Sequence, residues 1–179
     1  MPTILTHPAV PLAIGLGLGS GIVPRRLLVA GVVASIIPDL DVVVFRFGIA
    51  YDSALAHRGF SHSIAFALAA GLIGMCACRA FKAQWFVAFA FLFVATASHG
   101  VLDSFTNGGQ GIAFLWPCSD ERLFAPFQVI EVSPIGISRF FSSRGATVLA
   151  SELLWVWSPC VLLGLMLWAG HALIRQSCH

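Results

Sequence analysis

Histidine and aspartate side chains are the groups in this sequence that could do chemistry, and two of them have the spacing of metal ligands. His99 and Asp103 are four residues apart, so on a helix both side chains lie on one face, within reach of a common ion. Asp39 and Asp41 follow Pro38 and would diverge on a regular helix, but a break at this proline could turn both of them inward. Imidazole nitrogens and carboxylate oxygens together are typical ligands of a divalent cation, and the number of histidines favours zinc.

The elements that must position these residues are strongly apolar. Hydrophobic residues make up 58% of the chain and charged residues 10%, and the mean hydropathy is +0.90, which lies outside the usual balance of a soluble domain. We therefore predict an all-α fold, a polytopic membrane helix bundle of about five spans, in which residues 1–179 form a single membrane-embedded domain. The candidate spans are residues 8–23, 27 to about 47, 63–78, 85–102 and 153–174, with a long loop between the fourth and the fifth. Because Pro38 interrupts the second span, we expect its helix to break there and its freed backbone to line a cavity.

If these spans alternate in direction, the ionisable residues are segregated between the two sides of the membrane. One side receives His7, Asp39, Asp41, His57, Arg58, His62, His99 and Asp103. An unpaired aspartate at the centre of a spanning helix costs about 2.5 to 3.5 kcal/mol, so these aspartates need positive charge nearby. Arg58 can neutralise one carboxylate, and a bound divalent cation can neutralise two more. The sequence therefore predicts one His/Asp metal site at one face of the bilayer.

The remaining charges exclude one class of partner and suggest an orientation. Ten Lys and Arg residues are scattered along the chain without a basic run, and the net charge is +2, so direct binding of nucleic acid is not expected. The shortest connections carry Arg25, Arg26, Arg79 and Lys82. Short cytoplasmic loops are enriched in such residues, so the metal site should face the periplasm. We interpret Asp120, Glu121, Glu131 and Glu152 as solvated loop or helix-cap charges.

Four sequence elements carry a family resemblance. They are Ile37-Pro-Asp-Leu-Asp41, His57-Arg-Gly-Phe-Ser-His-Ser63, His99-Gly-Val-Leu-Asp103 and Trp116-Pro-Cys-Ser-Asp-Glu-Arg122. Between about His7 and Arg122 the chain resembles the YdjM-like family of metal-dependent hydrolases, which are multi-pass proteins of the bacterial inner (cytoplasmic) membrane. Its His/Asp spacing is also distantly similar to that of zinc-dependent phospholipase C. The resemblance implies metal ligands among His7, Asp39, Asp41, His62, His99 and Asp103, with His57 and Arg58 lining the same pocket.

The expected function is that of a membrane-bound metal-dependent hydrolase. The substrate class would be a phosphoester bond in a lipid or lipid-linked molecule, and the attacking group a metal-activated water. Asp39 or Asp41 would take the proton of this water, and Arg58 would hold a phosphate oxygen as a fork. Ser61, Ser63 and Thr106 would support the ligands by hydrogen bonds.

Three other interpretations of the same residues stay open. Histidines and aspartates inside a membrane also mark the ion pathway of a divalent-metal transporter or sensor. Ser61 or Ser104 with His99 could form an intramembrane serine hydrolase, although the chain has no G-x-S-x-G element. A non-catalytic membrane protein stapled by a metal would have the same ligands and no turnover.

Overall fold

The computed structural model describes residues 1–47, 57–133 and 141–177. The α-helices of these ranges are α1 (Ala9–Leu18), α2 (Arg25–Ala34), α3 (Ile64–Cys76), α4 (Cys78–Phe81), α5 (Trp85–Ser104), α6 (Ser143–Glu152) and α7 (Ser158–Ser177). Two 3-10 helices cover Ile37–Phe47 and Phe60–His62, and a π-helical turn, Leu153–Trp157, joins α6 to α7. Within the described ranges, extended pairing is limited to two isolated bridges in the long loop after α5, Thr106 with Ile130 and Ile112 with Leu123. The predicted all-α fold is confirmed.

The number of predicted spans is not confirmed. Two helical stretches are long and apolar enough to cross a membrane, Trp85–Ser104 and Ser143–Ile174, and they contain the fourth and fifth predicted spans. The first and third predicted spans contain α1 and α3, which are apolar but have 10 and 13 residues. Those lengths correspond to about 15 and 20 Å, against a hydrocarbon thickness of about 30 Å.

Local backbone geometry explains why two of the apolar runs are divided. Gly19 ends α1 with a φ of 74°, and its N–H donates to the carbonyl of Gly15. This left-handed conformation is readily adopted by glycine and stops the helix before Pro24. In the second run, α2 ends at Ala34 and a 3-10 helix starts at Ile37, immediately before Pro38. The break predicted at this proline is therefore observed.

Helix packing places α5 at the centre of the structure. α5 has its most extensive contacts with α3 and also packs against α2, while α1 lies along α7. The approach of α1 to α7 depends on small residues, because a Cβ atom at Gly17 would lie 2.7 Å from the carbonyl oxygen of Gly164. On its other side α7 exposes large apolar residues such as Leu162, Met166 and Leu173, which are 60 to 64% exposed. A surface of this kind is suited to contact with lipid.

Candidate metal site

The ends of four helical segments bring the predicted site residues together. His7 lies in the turn before α1, Asp39 and Asp41 lie in the first 3-10 helix, and His57, Arg58 and His62 lie in or just before the second one. His99 and Asp103 are in the last two turns of α5. All eight residues are buried, between 0 and 8% exposed. The structure therefore places them in one buried region at one end of the bundle.

Four of these residues, Asp39, His62, His99 and Asp103, each have a ligand atom within 4.8 Å of those of the other three. His7 Nε2 lies against the second oxygen of both carboxylates, and we call these five residues the converging cluster. The Nε2 atoms of His62 and His99 are 3.1 Å apart, and His99 Nε2 is 3.4 Å from Asp39 Oδ1. His62 Nε2 is 3.5 Å from Asp103 Oδ2, and His7 Nε2 is 3.6 Å from Asp39 Oδ2 and 3.8 Å from Asp103 Oδ1. Ligand atoms that lie 2.0 to 2.2 Å from a tetrahedral ion are about 3.3 to 3.6 Å from one another. The converging cluster thus has the spacing of a metal site.

Unsatisfied polar atoms support the same conclusion. Neither nitrogen of His7, and no carboxylate oxygen of Asp39 or Asp103, has a hydrogen-bond partner among the described residues. The guanidinium of Arg58 lies beside one of these carboxylates, with its Nε 3.4 Å from Asp103 Oδ2. Buried polar atoms are almost always hydrogen-bonded, and buried carboxylates without compensation are costly. A divalent cation bound among these atoms would supply the missing interactions, so the residues present fit a metal ion.

A second group of residues lies next to the cluster and is hydrogen-bonded within itself; we call Asp41, His57 and Ser61 the Asp41 network. His57 Nδ1 is 2.7 Å from Asp41 Oδ1, and the Ser61 hydroxyl donates to Asp41 Oδ2 at 2.6 Å. Ser61 Oγ is also 3.0 Å from His62 Nδ1, which links the network to the cluster. The atoms of Asp41, His57 and His62 are close enough to hold an ion of their own. Because both carboxylate oxygens of Asp41 already accept hydrogen bonds, the need for a cation is greater in the converging cluster.

The protonation of the histidines is set by their surroundings. His99 Nδ1 lies 2.7 Å from the carbonyl oxygen of Ser35, which can only accept, so the proton is on Nδ1 and the lone pair of Nε2 faces the cluster. Burial, reinforced by the neighbouring His99, lowers the pKa of His7 to about 3, so its ring is neutral. Burial acts in the same direction on His62, but the nearby carboxylates of Asp103 and Asp41 outweigh it and raise the pKa of His62 to about 9. The negative charge that raises this pKa would also attract a metal cation.

Comparison with known proteins identifies the family of this chain. The family model described as the YdjM inner membrane protein matches residues 1–176. The chain belongs to the YdjM family. The inner membrane protein YbcI of Escherichia coli (strain K12) is 50% identical over 173 residues, which are 94% of this chain and 98% of the relative. No solved structure matches. The resemblance predicted from the His/Asp elements is confirmed, and the YdjM family is one of inner membrane proteins.

In this YdjM protein, Arg58 contacts a loop beside the converging cluster. Its Nη1 donates to the carbonyl oxygens of Gly108 and Gln110 at 2.9 and 2.6 Å, and its Nη2 donates to Thr106 Oγ1 at 2.8 Å. Thr106 Oγ1 in turn donates to the carbonyl oxygen of Asp103 at 2.7 Å. Arg58 therefore ties this loop to the end of α5, and its predicted use as a phosphate fork stays a prediction.

Two structural roles in this YdjM protein were not predicted from the sequence. The backbone carbonyl of Ser35 accepts a hydrogen bond from His99. Every residue has such a carbonyl, so the sequence cannot indicate which one will bond the histidine. Glu152 was predicted to be a solvated charge, and this was wrong because its side chain is buried, at 1% exposed, against the segment before α1. The signal available was its position directly before the apolar run that starts at Leu153. Ser63 contributes differently from the expectation, since its hydroxyl caps α3 by accepting from the N–H of Phe66 at 3.1 Å.

Gly100 controls how closely α5 approaches the second 3-10 helix, and it provides a test of the cluster geometry. A Cβ atom at Gly100 would lie 2.7 Å from the carbonyl oxygen of His62. We expect Gly100→Ala to displace His62 from His99 and to weaken binding of a divalent cation by about tenfold or more, measured by competition with a chromophoric chelator. Gly170→Ala in α7 is the matched control, because a Cβ atom there meets nothing within 4 Å among the described residues. An affinity in Gly100→Ala equal to that of the control would contradict the described packing at His62.

Proposed function

We propose that this protein is a membrane-bound metal-dependent hydrolase that cleaves phosphoester bonds in a lipid or lipid-linked substrate. The observation that carries the proposal is the converging cluster, in which three imidazoles contact two buried carboxylates that lack hydrogen-bond partners among the described residues. An ion-binding site next to a separate hydrogen-bonded His–Asp pair has the two parts that hydrolysis of a phosphoester requires.

The residues of the chain divide into two roles in this proposal. His7, Asp39, His62, His99 and Asp103 hold the cation. When bound, a divalent cation, with zinc favoured by the three imidazoles, would lower the pKa of a water to about 7 and polarise a phosphoryl oxygen. Asp41 holds His57 through Nδ1 at 2.7 Å, which orients the ring and leaves Nε2 to accept a proton. His57 is therefore proposed as the general base, with Asp41 as its orienting partner.

Apolar cavities beside the elements of the site favour a lipid substrate. One of about 440 Å³ lies at the end of α5 and is lined by residues that include Leu102, Phe105 and Trp155. Leu102 precedes Asp103 directly in α5, so this cavity and the converging cluster share one helix end. Ligand sites of this size with mostly apolar walls are suited to an apolar chain.

The alternative functions make different demands on the structure. A metal transporter needs polar residues along the membrane, but α5 carries no ionisable residue between Trp85 and His99. A metal sensor needs only the ligands, so turnover is what separates it from a hydrolase. A serine hydrolase needs a serine bonded to its histidine. Among the described residues neither Ser61 nor Ser104 bonds to His99, the expected partner. Ser61 donates to Asp41 Oδ2 and lies 3.0 Å from His62 Nδ1, and Ser104 donates to the carbonyl oxygen of Val101. A non-catalytic, metal-stapled protein is separated from a hydrolase by turnover.

Turnover should depend on the metal. The protein would be purified in detergent, stripped with a chelator, and reloaded separately with Zn²⁺, Mn²⁺ and Mg²⁺. Each form would be assayed with water-soluble nitrophenyl phosphomonoester and phosphodiester substrates and with phospholipid vesicles. We expect hydrolysis after reloading with at least one cation and none in the stripped form. A reloaded protein with stoichiometric metal and no hydrolysis of any of these substrates would overturn the proposed activity and leave a metal-binding role.

The same proposal includes a multi-pass arrangement with the site facing the periplasm. The shorter segments α1, α2 with the first 3-10 helix, and α3 with α4 would lie in the bilayer beside the two long helices, which makes about five membrane-embedded segments. Arg26 Nη1 donates to the carbonyl oxygen of Ala80 at 3.2 Å, so the basic first turn of α2 lies beside α4. We propose that this end of the bundle is cytoplasmic.

Orientation can be tested by cysteine accessibility. In a cysteine-free background, single cysteines would be placed at Ser142 and at Gln84, before α6 and α5 respectively. We expect a membrane-impermeant thiol reagent added from the periplasm to label the Ser142 position and not the Gln84 position. Labelling at Gln84 with protection at Ser142 would invert the proposed topology.

A further inference from the structure

Glu152 is a buried carboxylate that the proposed chemistry does not use. It is the last residue of α6, 1% exposed, and it contacts the segment before α1. Its Oε1 accepts from the N–H of Thr3, and its Oε2 accepts from the hydroxyls of Thr3 and Thr6, both at 2.7 Å. Hydrogen bonds to a carboxylate are stronger than neutral ones, and three of them offset much of the cost of burying it. A buried carboxylate of this kind is expected to fix the position of the segment that it bonds, here the residues before α1.

The segment that Glu152 holds leads directly into His7. Thr6 also accepts a hydrogen bond from Trp157 Nε1 at 3.2 Å. The end of α6 and the following π-helical turn therefore both hydrogen-bond the same threonine hydroxyl. Hydrogen bonds from Thr6 N to Thr3 O and from Ala9 N to Thr6 O, at 2.9 and 3.0 Å, continue this order into α1. His7 lies inside this turn.

His7 depends on its backbone for its orientation. Neither of its ring nitrogens has a hydrogen-bond partner among the described residues, and its ring stacks on His99 with the centroids 3.7 Å apart. Histidines that bind metals usually have one nitrogen fixed by a second hydrogen bond, as His99 has with Ser35. For His7 the restraints are the stack on His99 and the turn on which His7 lies.

We propose that Glu152 is a positioning residue for the metal site, and that it acts through His7. By fixing Thr3 and Thr6, Glu152 holds His7 Nε2 at 3.6 Å from Asp39 Oδ2 and 3.8 Å from Asp103 Oδ1. The inference rests on the proposed role of His7 as a metal ligand. It couples the long helical stretch Ser143–Ile174 to a site whose residues lie between His7 and Asp103.

The test measures the affinity for Zn²⁺ by competition with a chromophoric chelator, on full-length protein in detergent. We expect Glu152→Ala to weaken binding by about tenfold, the lower end of what loss of a residue supporting a ligand costs. Glu152→Gln should keep most of the affinity, because its amide oxygen still accepts from Thr3 N and its NH₂ can donate to the threonine hydroxyls. Glu131→Ala is the matched control, since Glu131 forms an ion pair with Arg144 at 2.7 Å that is partly exposed.

A double variant separates positioning from a general effect on stability. If Glu152 acts through His7, Glu152→Ala should have no further effect on the affinity once His7→Ala is present. An equal loss in both backgrounds, or no loss at all in Glu152→Ala, would overturn the inference and leave the ligand set intact. An unchanged affinity in His7→Ala would remove His7 from the ligand set and overturn the inference with it.

A milder variant keeps the test informative if Glu152→Ala does not fold. Thr6→Val has a similar shape and removes the hydroxyl that donates to Glu152 and accepts from Trp157. We expect Thr6→Val to weaken Zn²⁺ binding in the native background and not in His7→Ala, with an unchanged elution volume in size-exclusion chromatography. Wild-type affinity in Thr6→Val would contradict the inference.

Discussion

His99→Ala and Asp103→Ala are each expected to remove nearly all of the divalent metal from the purified protein. Both side chains are fully buried and direct atoms into the converging cluster, so loss of either one removes a ligand atom from the interior of the site. Loss of a residue that only supports a ligand already costs about 10- to 100-fold in affinity, so loss of a ligand should cost more than about 100-fold. The measurement is elemental analysis after dialysis, together with the dissociation constant for Zn²⁺.

Two substitutions outside the site test whether removing any histidine or aspartate lowers the metal content. His171 lies in α7 and Asp120 is exposed in the loop after α5, and His171→Ala and Asp120→Ala should keep the metal content of the native protein. Full metal content in His99→Ala and in Asp103→Ala would remove both residues from the ligand set.

His57→Ala is expected to abolish most of the turnover while leaving the metal in place. The ring of His57 is bonded to Asp41 and does not belong to the converging cluster, so its removal should not disturb the bound ion. A general base contributes about 10²- to 10⁴-fold to a rate, and we expect a loss of kcat in that range once a substrate has been identified. Asp41→Asn should act in the same direction, because the amide can no longer orient His57 as a charged acceptor does.

The two readouts together decide the role of the Asp41 network. Metal content and kcat would be measured on the same preparations, with His171→Ala as the control. Loss of metal in step with activity in His57→Ala would show that Asp41, His57 and His62 hold a second ion, and it would contradict the proposed proton transfer.

Parts of this architecture could be predicted because they follow from local rules. The four-residue spacing of His99 and Asp103 needs only a helix between them, and α5 supplies it. The break near Pro38 follows from the conformational restrictions that a proline imposes on its own position and on the residue before it. The segregation of histidines and aspartates at one end of the apolar runs likewise predicted a shared site, and the contacts between them confirm that they lie together.

Other features of the fold and of the site depend on backbone geometry and tertiary contacts, which cannot be deduced from the residue types. Hydropathy depends on composition and does not detect the turn at Gly19, so the first apolar run was predicted as one span. Asp39 and Asp41 were predicted in one ligand set, but two residues in a 3-10 helix are rotated by about 240°, which sends Asp39 to the converging cluster and Asp41 to His57. The contact of Glu152 with Thr3 joins residues 149 positions apart, and only the tertiary structure reveals it.

X-ray absorption spectroscopy at the zinc edge tests the central claim most directly, because it reports the atoms around the ion itself. The converging cluster predicts a shell of nitrogen and oxygen atoms at about 2.0 to 2.2 Å, with the multiple scattering of three imidazoles and no sulfur. In His7→Ala the imidazole count should fall from three to two. A shell dominated by sulfur, or one with no imidazole scattering, would contradict the assignment of His7, His62 and His99 as ligands.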